Sequence, residues 1–555
     1  MASKYTAVLY VHGIGNPARN ASLSTFLDYF DLYGQTQSKE GLGKPRNFSY
    51  RTAVTDDDEV VHYVEFKRIV TKAGQARVAK TIRVYEAYWV PEAESRYSLV
   101  YVLLWLLMRA LSPFRLAFST WRNFPAFRLS CLHSLAATRS VNKIEKLERA
   151  FRDFENWENR RQFPKGSFSE FKAFLGTLRQ TRGTTSDDLI SLADEWRCHT
   201  RRTIWEKIIT VVGTVSGIFL AAAIQAYLCY GTWRYAAIGF PSAMAQAYLA
   251  ITAITLVVSF CVIKAAKEYA YDVLTWTINS EKDQRFQTRE RVVGYTRRLI
   301  NHVASGHDCE EFFIVSHSLG TSIAAEALLQ EGQRAKAEED EGEGKRRLGI
   351  LGKLVAVFTI GSPIDLIFNF FQTDTTFSHR YNRLREEQRL SIAMPPFRIA
   401  GRAGHAKLVN IWSRFDPISS PLTSLRKSIS ERRDAIVNVE AIPPGIPSPL
   451  ETHIGYYADP KVMGLIYTSI MSGTNVVASA EPTEIQPALR MYGPWVNLIS
   501  VALGLIFLAV FALGSSIIAS AISFAALVIW LLGIWRWRRN TLLSIQAARG
   551  RFLKR

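Results

Sequence analysis

The stretch from Phe312 to Leu329 leaves this chain few folds to choose from. Phe312-Phe313-Ile314-Val315 is an apolar run of strand length, and Ser316-His317-Ser318-Leu319-Gly320 is a turn of small residues. Thr321-Ser322-Ile323-Ala324-Ala325-Glu326-Ala327-Leu328-Leu329 then has the composition of a buried helix. A strand apolar on both faces that feeds a helix through a tight turn belongs to a mostly parallel α/β sheet. Such a turn lifts the Ser318 hydroxyl above the sheet edge, where the helix start leaves the Leu319 amide free to meet developing negative charge. Positions two before and two after the serine must be small, because strand and helix pass close together. Gly320 meets that demand, and Ser316 is only slightly larger than glycine. A serine so placed is either a nucleophile or simply a turn residue.

Partners decide between those roles. A serine hydroxyl is a weak nucleophile until a histidine takes its proton and a carboxylate holds that histidine in one tautomer. Downstream, Lys407-Leu408-Val409-Asn410-Ile411-Trp412 forms a further expected strand, with Asp416-Pro417 just past its end. The rim beyond the C-terminal ends of parallel strands is where open α/β sheets place their ligands. Asp365, after Thr359-Ile360-Gly361-Ser362-Pro363, stands in a comparable position and competes with Asp416 for the role of acid. Only one histidine, His453, follows Asp416 in the chain. In the order nucleophile, acid, histidine, the base must therefore be His453. Near the start, the apolar run Ala7-Val8-Leu9-Tyr10-Val11 leads into His12-Gly13-Ile14-Gly15-Asn16-Pro17. Gly13 and Gly15 let the backbone turn and present amides, with Ile14 as the expected second oxyanion donor and His12 as a loop-shaping residue. The loop lacks the third glycine of a dinucleotide fingerprint and the Lys-Ser/Thr of a P-loop, which argues against phosphate binding.

Together His12-Gly13-Ile14-Gly15, Tyr88-Trp89-Val90-Pro91, Ser316-His317-Ser318-Leu319-Gly320, Thr359-Ile360-Gly361-Ser362-Pro363, Asp416-Pro417 and His453 resemble the marks of the α/β-hydrolase superfamily. Within it the chain is similar to lipases and esterases of membrane-associated bacterial type, and more distantly to lipases of the GPI-inositol deacylase kind. The likeness spans roughly residues 1–95 and 270–480. It implies acyl transfer through Ser318, His453 and Asp416, with no metal or organic cofactor, and it names no single substrate.

A formal charge of +19 raises the question of nucleic acid. The basic residues gather instead beside apolar runs: Arg197, Arg201, Arg202 and Lys207 before one, Lys264 and Lys267 after another, and Arg536, Arg538 and Arg539 after the last. That distribution is expected of cytoplasmic flanks near anionic lipid, so membrane lipids, and not nucleic acid, are the expected partners. Five widely spaced cysteines make no metal-ligand pattern and suit a reducing compartment. Met1-Ala2-Ser3-Lys4 runs into the first strand without a signal-peptide pattern.

Residues 208–230 and 243–263 are uncharged and long enough to cross a bilayer, and 496–535 is long enough to cross it twice. Two transmembrane helical hairpins are therefore expected. The shorter run Leu99–Met108 is expected to lie at the interface or to be re-entrant, because a further crossing would separate His12 from Ser318 across the membrane. The expected organisation is hydrolase core at 1–95, interfacial helix and helical insertion at 96–206, hairpin at 207–266, hydrolase core at 267–485, hairpin at 494–537 and a basic tail at 538–555. The catalytic part is expected on the cytoplasmic face of a bacterial inner membrane. The charged segment Gln333–Arg347 is expected to be a disordered loop. The function expected is a membrane-anchored serine hydrolase cleaving esters or thioesters, with lipids as the expected substrates, against the alternative of a catalytically silent hydrolase-fold scaffold or signalling protein.

Overall fold

The computed structural model describes residues 4–13, 18–37, 45–54, 60–72, 75–93, 125–135, 139–161, 167–182, 187–206, 284–338, 342–367, 394–399, 406–416, 418–423, 436–443 and 449–472, with a few single positions elsewhere. Eight strands form one sheet in the order β2-β3-β4-β1-β5-β6-β7-β8. They are β1 (Tyr5–Val11), β2 (Pro45–Val54), β3 (Val60–Lys72), β4 (Gln75–Ala87), β5 (Cys309–His317), β6 (Leu354–Ile360), β7 (Lys407–Trp412) and β8 (Ile436–Glu440). From β4 to β8 all neighbours are parallel, while β2 and β3 add an antiparallel edge. The chain is thus a mixed α/β protein with a mostly parallel sheet.

The centre of the sheet is built by strands that read as unbroken apolar runs. All seven residues of β1 are buried, as are Phe312, Phe313, Ile314 and Val315 of β5. A strand covered by helices on both faces cannot afford alternation with polar residues. One face packs under helix α6 (Gln284–Ser305) and helix α7 (Leu319–Ala337), through Val293, Ile300, Ile323 and Leu328. The other packs on α1 (Ala21–Gln37) and the helix Pro460–Ser472, through Phe26, Phe30, Ile466 and Tyr467. The sheet joins strands from both sides of the helical insertion, so residues more than 200 positions apart are neighbours, as Val11 and Ser316 are; Ser316 in turn lies opposite Thr359.

Register lines up the strand ends. Gly13 follows β1, Ser318 follows β5, Gly361 follows β6 and Asp416 follows β7, all at the C-terminal edge of the sheet. His453 lies in the short helix α9 (Pro449–Ile454) that comes after β8. The helical insertion has a separate apolar core, in which Trp196 meets Phe151 and Phe171 edge to face at 5.1 and 6.0 Å.

One expectation is corrected here. The described residues of Gln333–Arg347 are mostly helical: α7 continues through Ala337, and a further helix, α8, runs from Gly342 to Leu351. Charges are paired across the two helices, with Arg347 donating to Glu331 at 2.8 Å and to Glu338 at 3.0 Å, while Arg334 donates to Glu338 one turn further along its own helix end at 3.0 Å. Glu331 is fully buried, so these groups serve helix–helix packing and not solvation. The runs 208–230, 243–263, 496–535 and Leu99–Met108 lie outside the described residues apart from isolated positions. Among the described residues no helix is long and apolar enough to cross a membrane.

Candidate active site

The serine turn is held in a conformation that side chains rarely adopt. Ser318 has φ 53° and ψ −130°. Its N–H donates to the Ile360 carbonyl at 2.9 Å, and its carbonyl accepts from the Thr321 amide at 3.0 Å and hydroxyl at 2.7 Å. Backbone pinned on both sides can sustain such local strain, which places the hydroxyl off the sheet edge and free of any capping bond to the helix. The small-residue requirement also has a visible cause. A Cβ on Gly320 would overlap the carbonyl oxygens of Val11 and His12. The Ser316 hydroxyl, fully buried, donates to the Phe358 carbonyl at 2.9 Å, so serine fits where a larger residue could not.

The two partners inferred from chain order converge on Ser318. His453 Nε2 lies 2.8 Å from Ser318 Oγ, and His453 Nδ1 lies 2.9 Å from Asp416 Oδ2. A carboxylate only accepts, so Nδ1–H donates to Asp416. The bare Nε2 then accepts from the Ser318 hydroxyl. All three side chains are buried. Asp416 has both oxygens engaged: the Ile418 amide donates to Oδ1 at 2.9 Å, and the Tyr456 hydroxyl donates to Oδ2 at 2.8 Å. Burial opposes ionisation of this carboxyl. The adjoining His453 ring, its N–H, the Ile418 amide and the Tyr456 hydroxyl outweigh that and hold it below the ordinary aspartate value.

Asp365, the other acid considered, is committed elsewhere. Its Oδ2 accepts from the Thr423 amide at 2.9 Å and from the Thr423 hydroxyl at 2.7 Å, tying β6 to the segment after β7. Gly361 shapes the wall of the site. It has φ +61°, and a Cβ there would come within 3.2 Å of His453 Cε1.

The loop after β1 passes directly over the serine. A Cβ on Gly13 would sit 2.7 Å from Ser318 Cβ, so only glycine allows this approach. His12 stacks on Trp89 at 4.9 Å, and the Trp89 indole N–H donates to the His12 carbonyl at 3.1 Å. The His12 ring in turn donates from Nδ1 to the Gly13 carbonyl at 2.9 Å. Burial pushes this imidazole down to about 4, so it is a neutral brace for the loop. Ile14 and Gly15 lie outside the described residues. Leu319 begins α7, whose first-turn N–H groups have no acceptor within the helix.

Two residues that pattern reading passed over complete the site. Tyr456, three positions after His453, reaches the same Asp416 oxygen as the histidine, and its own oxygen meets Ser419 Oγ at 3.0 Å. Its position one helical turn beyond His453 is the only sequence signal that pointed to it. His317 lies against His453, with ring centroids 5.1 Å apart. It was visible only as the residue before the serine. A cleft lined by Trp89, Trp276, Val292, Leu319 and Ile323 adjoins the helix start and includes the buried Arg289 that pairs with Glu326 at 2.7 Å.

Comparison of the chain with family models, with curated proteins and with solved structures finds no match in any of the three.

Proposed function

We propose that this protein is a serine hydrolase of α/β-hydrolase type, anchored to a membrane and cleaving ester or thioester bonds of lipids. The observation that carries the proposal is the buried relay Ser318 Oγ–His453 Nε2 at 2.8 Å and His453 Nδ1–Asp416 Oδ2 at 2.9 Å, built on a strained turn. An isolated serine–histidine contact is common on protein surfaces. Here the hydroxyl, the imidazole tautomer and the ionised carboxyl are fixed in the order that proton transfer needs.

In the proposed cycle Ser318 Oγ attacks the acyl carbon as its proton passes to His453 Nε2. Asp416 stabilises the resulting imidazolium, assisted by Tyr456. The carbonyl oxygen becomes an oxyanion, for which the Leu319 amide and the amide of Ile14 are the assigned donors. His453 returns the proton to the leaving alcohol or thiol as the C–O or C–S bond breaks. Water, deprotonated by His453, then attacks the acyl-enzyme, and the serine leaves with a proton from the same ring.

Membrane attachment is supported by the uncharged runs at 208–230, 243–263 and 496–535 with their basic flanks. Among the described positions within or next to them, Trp233 and Ile529 expose 67% and 70% of their surface, while Ile208 packs into the core of the helical insertion. A lipid substrate follows from a site held at a bilayer surface. A fluorophosphonate probe, which reacts with activated serines, tests the chemistry: the full-length protein should label and Ser318→Ala should not. Equal absence of label in both would leave the hydrolase-fold scaffold as the surviving alternative. Lipid profiles of membranes incubated with the protein or with Ser318→Ala test the substrate class, and identical profiles despite labelling would point to soluble esters.

A further inference from the structure

We infer that His317, the residue before the nucleophile, is a positioning residue for His453: it holds the main chain of the base from the same strand end that carries the serine. The inference rests on the hydrolase reading above.

His453 sits in a helix of only six residues, Pro449–Ile454, too short to fix its own place. Carbonyls in the last turn of a helix have no acceptor role within it, and the His453 carbonyl is one of these. His317 Nε2 lies 3.0 Å from that oxygen. A carbonyl only accepts, so Nε2–H is the donor and Nδ1 is the bare nitrogen. The ring is packed on several sides. Its centroid is 5.1 Å from that of His453, 5.7 Å from that of Tyr457 and 6.4 Å from that of Tyr456. Gly13 closes another side, since a Cβ there would stand 3.2 Å from His317 Nδ1.

One backbone step therefore joins the nucleophile to the group that holds the base. Any movement of the end of β5 carries Ser318 Oγ and the anchor of His453 together, which preserves the 2.8 Å contact between them. A leucine of similar size could fill the space but could not hold the carbonyl. The charge state fits the role. Burial first, and the neighbouring His453 ring second, bring His317 down to about 4. It thus stays neutral when His453 becomes an imidazolium, and adds no like charge beside it.

The test compares His317→Leu, which lacks the donor, with His317→Gln, which keeps a side-chain N–H of comparable reach. The full-length protein is assayed for fluorophosphonate labelling rate and for hydrolysis of 4-nitrophenyl butyrate. Misplacement of a catalytic group by about 1 Å costs on the order of 100-fold. His317→Leu should accordingly lose roughly 10- to 100-fold in kcat and in labelling rate, with KM within about twofold, while His317→Gln recovers most of that loss. If the leucine variant does not fold, His317→Asn replaces it, because the same amide on a shorter stem falls short of the carbonyl and should lose what glutamine retains. A leucine variant as fast as the parent, a glutamine variant as slow as leucine or asparagine, or a loss confined to KM would each overturn the assignment. An unlabelled parent protein would instead remove the hydrolase reading itself, and this role with it.

Discussion

Replacing Ser318 by glycine and by alanine separates the cost of the turn from the value of the hydroxyl. Both variants lose the bond between Oγ and His453 Nε2, and neither loses a helix cap, because the serine side chain makes none. They differ in backbone freedom. At φ 53° and ψ −130° a residue with a Cβ carries strain on the order of 1–3 kcal/mol, which glycine does not. Glycine in return gives up roughly 0.5–1 kcal/mol more backbone entropy on folding. Taken at their centres, about 2 against about 0.75 kcal/mol, these leave Ser318→Gly more stable than Ser318→Ala by roughly 1 kcal/mol, the reverse of the usual order in regular structure. Urea unfolding of the two variants side by side, followed by tryptophan fluorescence, reads this difference as a shift in midpoint at equal slope. Neither variant should react with a fluorophosphonate. An alanine variant as stable as glycine, or more so, would show that the turn stores no strain and that its geometry owes nothing to forced placement of the serine hydroxyl.

Two further outcomes follow from the same site. Tyr456→Phe removes one donor from Asp416 Oδ2 while leaving the ring in place; turnover should fall roughly 3- to 10-fold, the effect of one lost hydrogen bond of about 1 kcal/mol, and unchanged turnover would exclude the tyrosine from the relay. Stability should also fall as pH drops from about 6.5 towards 4, because the unfolded chain takes up protons there that buried His12 and half-buried His317, both brought down to about 4, do not bind when folded. For His12 alone the full effect amounts to about 3 kcal/mol, present above pH 6.5 and lost at pH 4. Asp416, held low, adds a loss only at still lower pH. Melting temperatures that stay level between pH 7 and pH 4 would contradict this assignment.

Local pattern carried a large part of the fold and of the site. Runs such as Ala7–Val11 and Phe312–Val315 are strands because burial on both faces demands unbroken apolar residues, and that demand is written in consecutive positions. The serine turn was legible for the same reason, since strand, small-residue turn and helix are contiguous. His453 was legible by elimination, as no other histidine follows Asp416. The charged stretch after Gln333 misled because its residues look solvated in isolation, whereas Arg347 and Glu331 meet only when α7 and α8 pack together.

What the linear chain determined, then, is the set of candidate chemical groups and the strands that carry them. The antiparallel edge of β2 and β3, the engagement of Asp365 by Thr423, and the places of Tyr456 and His317 were decided by tertiary structure alone. Each depends on which strand ends lie side by side and on which donors are left over there. Hydrogen bonds between Ser318 and His453, 135 positions apart, leave no trace in local periodicity. They are set by the order of strands in the sheet, which brings those side chains within bonding distance and excludes water from the space between them.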